Sequence, residues 1–578
     1  MWLPIVASAA SWGFLFWLFP PSAQDFPLHD DWAFAKSAFA FAAGQGIHYY
    51  HWASMPQLGQ WVWAWPFIKL LGPTFVSLRV STIVLSWCGL VALYDILRRE
   101  GCAPWAASVA TATVAFNPVF FALQGSFMTD VPALSFMLIS LAFFGRAAQS
   151  GKVWPLVAAT AAGLLAVTTR QNAILLAVAT VPVMLSGEYP RKHGTPDAAR
   201  LTHHASRSAT YASRSTTHAQ WFIALATIVV VGLATDCWFA SRADIIRLTA
   251  VIPSQSRALL LPYFTVHFLG LAALPVVVLA CARGYISGYS IVGILAMGLG
   301  AVYWKHHEDL LPYPWLQMDG YLGGKETVGG VFPYAGGVVG IWGAFSGAMY
   351  GRPLYFDFPV RAVATVVGCV GGGALLGRLP VRGAWKGSLF WLAVVQVPLL
   401  FVAPIPYDRY LLPLLPGACW LAAGPSFRRG SMATPLDGCP TSTDGWTRLW
   451  RVLTIIMLLV YACLSIAQMH DCFSWNRARW TLGRRAIANH IPAQAIEGGF
   501  EWDGWHGFDT PGPSSQLPAE LSLPYTRKNF PAVTGQYAMS FEVLPATVVE
   551  DSEKCELWLK PGWRPTPYYT IYLLKAKW

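Results

Sequence analysis

The stretch "FPLHDDWAFAK" (residues 26–36) sets two adjacent carboxylates, Asp30 and Asp31, between an apolar run at residues 2–20 and an aromatic-rich segment. Its meaning depends on the solvent around it, and composition decides that. The chain has 578 residues, 55% hydrophobic and only 12% charged. An ordinary soluble domain carries about a quarter charged residues. Aromatic residues reach 14%, with 28 Trp, and Trp and Tyr suit the membrane interface, where one end of the ring is wet and the other apolar. Residues 2–20 lack the basic flank of a signal peptide and are followed by many further apolar runs, so they read as a first membrane span. The two acids therefore lie where the chain leaves the bilayer.

A helical span needs about 20 apolar residues to cross about 30 Å of hydrocarbon. Candidate spans fall at 2–20, 76–97, 103–122, 130–147, 153–169, 172–186, 221–240, 259–281, 286–303, 359–377, 388–404, 409–424 and 451–468. That predicts a polytopic α-helical membrane protein with about thirteen transmembrane helices. Sidedness follows from the basic loops. With the N-terminus inside, 97–101 (LRREG), 145–152 (GRAAQSGK), 189–215, 281–285, 377–386 and 426–451 are cytoplasmic, and all are enriched in Lys or Arg. The positive-inside rule accounts for them together, and so for the net charge of +11. No basic run interleaved with stacking aromatics points to nucleic acid.

The domain organisation expected is a membrane domain over 1–468 and an extracytoplasmic C-terminal domain over 469–578. Within the first lie a long outer loop (21–60), a Ser/Thr/His-rich cytoplasmic loop (187–220) and an outer loop (304–358) that includes a Gly-rich apolar stretch at 331–350, read as re-entrant or loop. The adjacent His203 and His204 lack a Cys or carboxylate cluster that would complete a metal site. The C-terminal segment is polar and Trp-rich. Its run "YYTIYLLKA" (568–576) reads as a strand in a small α/β or β-rich domain. Of ten Cys, Cys472 and Cys555 fall there, and an even pair on an oxidising face suggests a disulfide. The mix of aromatic and acidic residues in "GGFEWDGWHGF" (498–508) fits either a carbohydrate-contacting surface or a small-domain core.

Four groups of charged residues converge on the outer side. In the first loop, residues 32–43 form a short interfacial helix ended by Gly44, and 60–72 a second one. Asp30 or Asp31 then stands at a helix start, where capping is the plain reading. Two carboxylates exceed what a cap needs, which frees one to face a cavity. Asp130, in "GSFMTDVPALSF" (125–136), stands at another helix start with Pro132 in the first turn, again either a cap or a member of the same cavity. Arg170, in "TTRQNA" (168–173), lies at membrane depth on the side where topology anchors are rare, which favours an anion-binding role. Tyr407, Asp408, Arg409 and Tyr410, in "PIPYDRYLLPLLPG" (404–417), offer a planar bidentate donor beside phenols. Lys305, His306, His307, Glu308 and Asp309 are weaker candidates of the same kind.

The order and sidedness of "HDDW", "FMTDVP", "TRQ" and "YDRYLLPLLP", across residues 1–425, resemble the GT-C superfamily of membrane glycosyltransferases. The resemblance is nearest to glycosyltransferase family 39, the protein O-mannosyltransferases and bacterial aminoarabinose transferases. The family has Asp-Glu in its first loop where this chain has Asp30-Asp31, and by order Asp30 matches the family's catalytic Asp. The family's sugar-binding-like C-terminal modules have no counterpart in 469–578.

The resemblance implies an inverting transfer of a sugar from a polyprenyl-phosphate donor to a glycan, lipid or protein acceptor on the outer face of the membrane. Localisation would be the bacterial inner membrane, with the site on the periplasmic face. Asp30 or Asp31 would be the general base, while Arg170, Arg409 and Tyr407 would hold the donor phosphate. Asp130 would orient a basic residue or hold a divalent metal with Asp31, and no covalently bound cofactor is implied. A transporter or flippase of a polyprenyl-linked glycan is the alternative. It would place its ionisable cluster near the bilayer midplane, with inverted repeats, and no such repeat stands out.

Overall fold

The computed structural model describes residues 2–28, 30–50, 52–186, 205–242, 245, 255–281, 288–308, 358–379, 387–402, 408–424, 443–508, 530–559 and 568–577. Tyr407, His203, His204, the 331–350 stretch and nearly all of 304–358 lie outside them. In chain order the helices are α1 (Trp2–Leu18), α2 (Asp31–Ala42), α3 (Leu58–Leu71), α4 (Phe75–Arg99), α5 (Pro104–Ala115), α6 (Pro118–Gln124), α7 (Asp130–Ser150), α8 (Val153–Thr169), α9 (Leu176–Ser186), α10 (Ala205–Ser241), α11 (Gln255–Ala272), α12 (Leu274–Cys281), α13 (Gly288–Glu308), α14 (Phe358–Leu376), α15 (Ser388–Val402), α16 (Leu415–Ala423), α17 (Thr443–Ala488) and α18 (Phe500–Gly507).

Among the described residues, four helices are long and apolar enough to cross a membrane by themselves: Phe75–Arg99, Asp130–Ser150, Ala219–Ser241 and Arg448–Ala488. Two bent pairs raise the number to six, fewer than the thirteen expected. The others are shorter apolar helices, including Trp2–Leu18, Val153–Thr169 and Ser388–Val402. The protein is an integral membrane protein with mixed whole and broken spans.

The breaks have local causes. Residues 103–122, expected as one span, are α5 and α6, bent by 63°. Asn117 ends the first piece and caps the second, its Oδ1 accepting from the N–H groups of Val119 (3.1 Å) and Phe120 (3.2 Å). Pro118, at the first helical position, has no N–H to continue the ladder. Residues 259–281 are likewise α11 and α12, bent by 73°. Residues 409–424 are not a span but a seven-residue 3₁₀ turn, Asp408–Leu414, followed by the nine residues of α16. Residues 205–220, expected as loop, belong to α10.

Helices α4, α7 and α8 pack in sequence order around a core that includes Leu78, Leu85, Leu134, Leu141 and Val167. Burial of side chains of this size contributes about 1.5–3 kcal/mol each. The first loop is pinned to this core by Arg79, which is 1% exposed. Its Nε donates to the Gly125 carbonyl at 3.1 Å, and its two Nη groups to the carbonyls of Gln24 and Phe26. The guanidinium also lies over the rings of Phe26 (5.0 Å) and Phe473 (5.4 Å).

Helix α17 runs 46 residues without a break, straight through the boundary expected at 468. The C-terminal segment builds on its far half. Strands β1 (Ile496–Glu497), β2 (Tyr537–Ser540), β3 (Thr547–Glu556) and β4 (Tyr568–Ala576) form a sheet in the order β1-β2-β4-β3, with β1 parallel to β2 and the other pairs antiparallel. The expected strand at 568–576 is β4. Asp471 of α17 accepts from the N–H groups of Trp558 (2.6 Å) and Leu559 (2.9 Å), and Arg479 pairs with Glu501 at 3.0 Å in full burial.

One expectation for this segment fails, and of two open readings of another stretch the structure favours the core. Cys472 and Cys555 form no disulfide. Both are free thiols, 1% and 2% exposed. Buried Cys serves as a small apolar filler, and burial pushes the Cys555 thiol up to about 12. The 498–508 stretch is not an open carbohydrate surface either. Trp502, Glu501 and Asp503 are fully buried, and Asp503 Oδ1 accepts from the Gly498 N–H at 2.9 Å. Helix α18 docks on the first loop: Phe500 meets Trp32 (6.2 Å between ring centres) and Trp52 (5.4 Å), and Trp505 meets Phe75 (5.1 Å). A side chain at Gly504 would enter the Trp32 ring.

His506 reports on this docking. Burial first, and Lys36 second, push its imidazole down from 6.5 to about 4. The unfolded chain therefore takes up a proton between those values that the folded chain refuses. The stability from this group is present above pH 6.5 and is lost as pH falls towards 4. The expected outcome is that the melting temperature drops less between pH 7 and pH 5 in His506→Gln than in the parent. An equal drop contradicts it.

Candidate active site

The two first-loop carboxylates divide sharply. Asp31, in the first turn of α2, is 1% exposed. Its Oδ1 accepts from the Leu28 N–H and its Oδ2 from the Phe127 N–H at 3.2 Å. Burial pushes its carboxyl well above the usual carboxylate range, while Arg79 and these two N–H groups pull the other way. Asp31 ties the first loop to the segment that leads into α7.

Asp30 occupies the N-cap position of α2 but makes no side-chain cap. Its backbone is helical (φ −68°, ψ −5°) rather than the extended form that lets a cap side chain reach back. Its Oδ1 instead accepts from Trp52 Nε1 at 2.7 Å, and its Oδ2 lies 3.8 Å from Arg409 Nη2. The carboxylate is turned from the helix towards a cation.

Asp130 is likewise the first residue of α7 rather than its cap; that position belongs to Thr129, whose side chain makes no capping bond. The Asp130 side chain is 4% exposed, with Oδ1 2.6 Å from Arg170 Nη1 and Oδ2 3.9 Å from Arg409 Nε. Arg170, where α8 ends, also donates to Thr129 Oγ1 at 3.0 Å. The turn that follows is held by Asn172, whose Nδ2 donates to Gln396 Oε1 at 3.1 Å and whose carbonyl accepts from Gln396 Nε2 at 3.2 Å. Tyr410 completes the group. Arg170 lies over its ring at 5.0 Å and Arg409 at 5.7 Å, a cation–π arrangement that fixes guanidinium orientation.

The four residues expected in one cavity, Asp30, Asp130, Arg170 and Arg409, are thus brought together in alternating sign. Asp31 faces away from them. Asp130, Arg170, Asn172, Arg409 and Tyr410, together with the apolar Ala133, Met137 and Pro413, line a small pocket.

The divalent metal expected between Asp31 and Asp130 does not fit this donor set. Both Asp31 oxygens take backbone N–H groups and Asp130 is paired with Arg170. Among the described residues no three His, Cys, Asp or Glu side chains gather as a metal site. Trp52, Thr129 and Gln396 are supports that the motifs did not single out as such, whereas Tyr410 is part of the 404–417 motif. Arg79 had a visible signal, a cation a few residues into an apolar helix.

Removing one partner of a buried ion pair leaves an uncompensated charge and costs about 3–5 kcal/mol. Arg170→Ala leaves Asp130 with Arg409 alone at 3.9 Å. The expected outcome is a loss of stability of about that size, read as a fall in melting temperature in detergent. Arg170→Lys, which keeps the charge, should lose less. An unchanged melting temperature in Arg170→Ala contradicts the pairing.

Residues 54–199 match the family described as dolichyl-phosphate-mannose-protein mannosyltransferase. No curated protein matches the chain. Similar solved structures include the arabinofuranosyltransferase AftD from Mycobacteria, at 13% identity over 99% of this chain and 40% of that one, with a TM-score of 0.38. ArnT from Cupriavidus metallidurans bound to undecaprenyl phosphate is similar at 13% identity over 98% and 97%, with a TM-score of 0.33. The arabinosyltransferase EmbB from Mycobacterium smegmatis is similar at 12% identity over 96% and 53%, with a TM-score of 0.35. This chain therefore spans 40% and 53% of the two mycobacterial chains. The family match covers the segment that supplies Asp130 and Arg170.

Proposed function

We propose that this protein is an inverting glycosyltransferase that moves a sugar from a polyprenyl-phosphate donor to an acceptor hydroxyl on the extracytoplasmic face of the membrane, with Asp30 as general base. One observation carries the reading: Asp30 leaves its capping position to face Arg409, beside a cleft that holds Arg409 and Arg170 together. A carboxylate facing one guanidinium, with a second beyond it across Asp130, supplies both halves of a single displacement. Asp30 takes the proton of the acceptor O–H. The acceptor oxygen forms its bond to the anomeric carbon from the face opposite the donor phosphate, and the bond from that carbon to the phosphate oxygen breaks. The electron pair leaves with the polyprenyl phosphate, whose charge is met by Arg170 and Arg409. Tyr407, two residues before Arg409 and outside the described residues, is proposed as a further donor to that phosphate. Asp130 holds both guanidiniums in place, and the apolar residues of the pocket accept the start of the lipid chain. The acceptor is a glycan, lipid or protein hydroxyl, and the membrane is proposed to be the bacterial inner membrane.

A transporter or flippase of a polyprenyl-linked glycan is the alternative reading. All four charged groups sit at helix ends or turns: before α2, at the start of α7, at the end of α8 and in the 408–414 turn. A transport site also uses the ends of broken helices, and catalytic transfer by the purified protein separates the two.

The two acids separate in a transfer assay with a polyprenyl-phosphate-linked sugar and purified full-length protein. Asp30→Asn is expected to lower kcat by about 10²–10⁴-fold, the usual size of general-base catalysis, with the melting temperature kept. Asp31→Asn cannot accept both N–H bonds and is expected to lose about 1–3 kcal/mol of stability while its folded fraction keeps transfer. Full activity in Asp30→Asn overturns the assignment.

A further inference from the structure

We propose that Trp52 is a positioning residue for Asp30, and that the C-terminal segment holds it in place through Phe500 and Phe530. The proposal rests on the role given to Asp30 above. Trp52 Nε1 donates to Asp30 Oδ1 at 2.7 Å, while the opposite oxygen of the same carboxylate faces Arg409 at 3.8 Å. One carboxylate held by a fixed donor at one oxygen has its other oxygen aimed, which is what a base needs to meet a substrate hydroxyl within hydrogen-bond reach.

The indole itself is clamped. Its ring centre lies 5.4 Å from that of Phe500, 6.1 Å from that of Phe530 and 6.1 Å from that of Trp32. Phe500 begins α18 and Phe530 lies between α18 and β2, more than 400 positions along the chain from Trp52. Trp32, the second residue of α2, touches Phe500, Phe508 and Phe530 in turn. The first loop and the C-terminal segment therefore share one aromatic cluster, and its polar edge is the N–H that reaches Asp30. Placement of the base becomes a property of how the C-terminal segment docks.

Among the described residues, a connected set of charged groups lies on the open side of Asp30. Arg409 comes from the 408–414 turn, with Asp130 of α7 and Arg170 at the end of α8 behind it. Asp31 turns to backbone N–H groups on the far side. A donor to the ionised carboxylate favours its charged form. Replacing Trp52 with Phe keeps an aromatic ring in the cluster and deletes that donor. Phe530→Leu keeps the donor and loosens the wall behind it.

The experiment uses the full-length protein and a polyprenyl-phosphate-linked sugar, with Asp30→Asn as reference. Trp52→Phe is expected to lower kcat about ten- to a hundredfold, the loss set by one hydrogen bond to a charged group, with the KM for the donor unchanged. The acid limb of the pH–rate profile is expected to move to higher pH, because the base has lost a group that favours its charged form. Phe530→Leu is expected to lower kcat by a few-fold, again at constant donor KM. A fall in kcat with an unmoved acid limb means that Trp52 only supports folding, and overturns the proposal. So does wild-type behaviour of Trp52→Phe while Asp30→Asn is inactive. Should Trp52→Phe fail to fold, Phe530→Leu decides, and an unchanged kcat there overturns the proposal. Activity in Asp30→Asn is a different result, and removes the base assignment itself.

Discussion

Asp130 is a carboxylate with 4% of its side chain exposed, and a charge so placed must be met by another. Arg170 meets it at 2.6 Å, and that contact fixes where α8 ends relative to where α7 begins. The second oxygen of Asp130 leaves room for Arg409 at 3.9 Å, and Arg409 in turn faces Asp30 at 3.8 Å. Four segments that are far apart in sequence meet because their charges alternate. The low dielectric around them strengthens each attraction and raises the cost of losing any member. Arg409 reaches two carboxylates at nearly equal distances, and both guanidiniums border one pocket.

The C-terminal segment is joined to this arrangement by covalent continuity as well as by packing. Helix α17 carries the chain from the apolar region into the segment without a turn, so the two move as one along that axis. At the other edge the aromatic cluster of Trp32, Trp52, Phe500 and Phe530 closes the first loop beneath the segment. Between these two attachments sit the buried Arg479–Glu501 pair and the Asp471 carboxylate that receives two backbone N–H groups. A buried charge pair of this sort specifies one docking geometry, since any slip leaves a charge without its partner.

Much of this was legible in the sequence because it follows from local rules. Apolar length marked the helices, Gly44 the end of α2, and Pro132 the start of α7. Charged residues at helix boundaries marked Asp30, Asp130, Arg170 and Arg409. What stayed illegible depends on contacts between distant residues. Two neighbouring aspartates look alike in sequence; only the positions of Phe127, Trp52 and Arg409 make one a tie and turn the other towards a cation. The bend at Asn117-Pro118 was readable from its cap and proline, but apolar length masked it. Cysteine parity suggested a bridge between Cys472 and Cys555, which pack instead as separate buried thiols. In 498–508, Phe500 and Phe508 turn inward onto Trp32 of the first loop, while Glu501 turns to Arg479 and Asp503 to the Gly498 N–H.

The most direct test of the proposed lipid-linked phosphate site is an electron cryo-microscopy map of the full-length protein in a lipid nanodisc with added undecaprenyl phosphate. Phosphate density within hydrogen-bond reach of both Arg170 and Arg409, with Asp30 facing the open space beside it, is the expected result. Phosphate density bound elsewhere, with the Arg170 and Arg409 cleft empty, would contradict it.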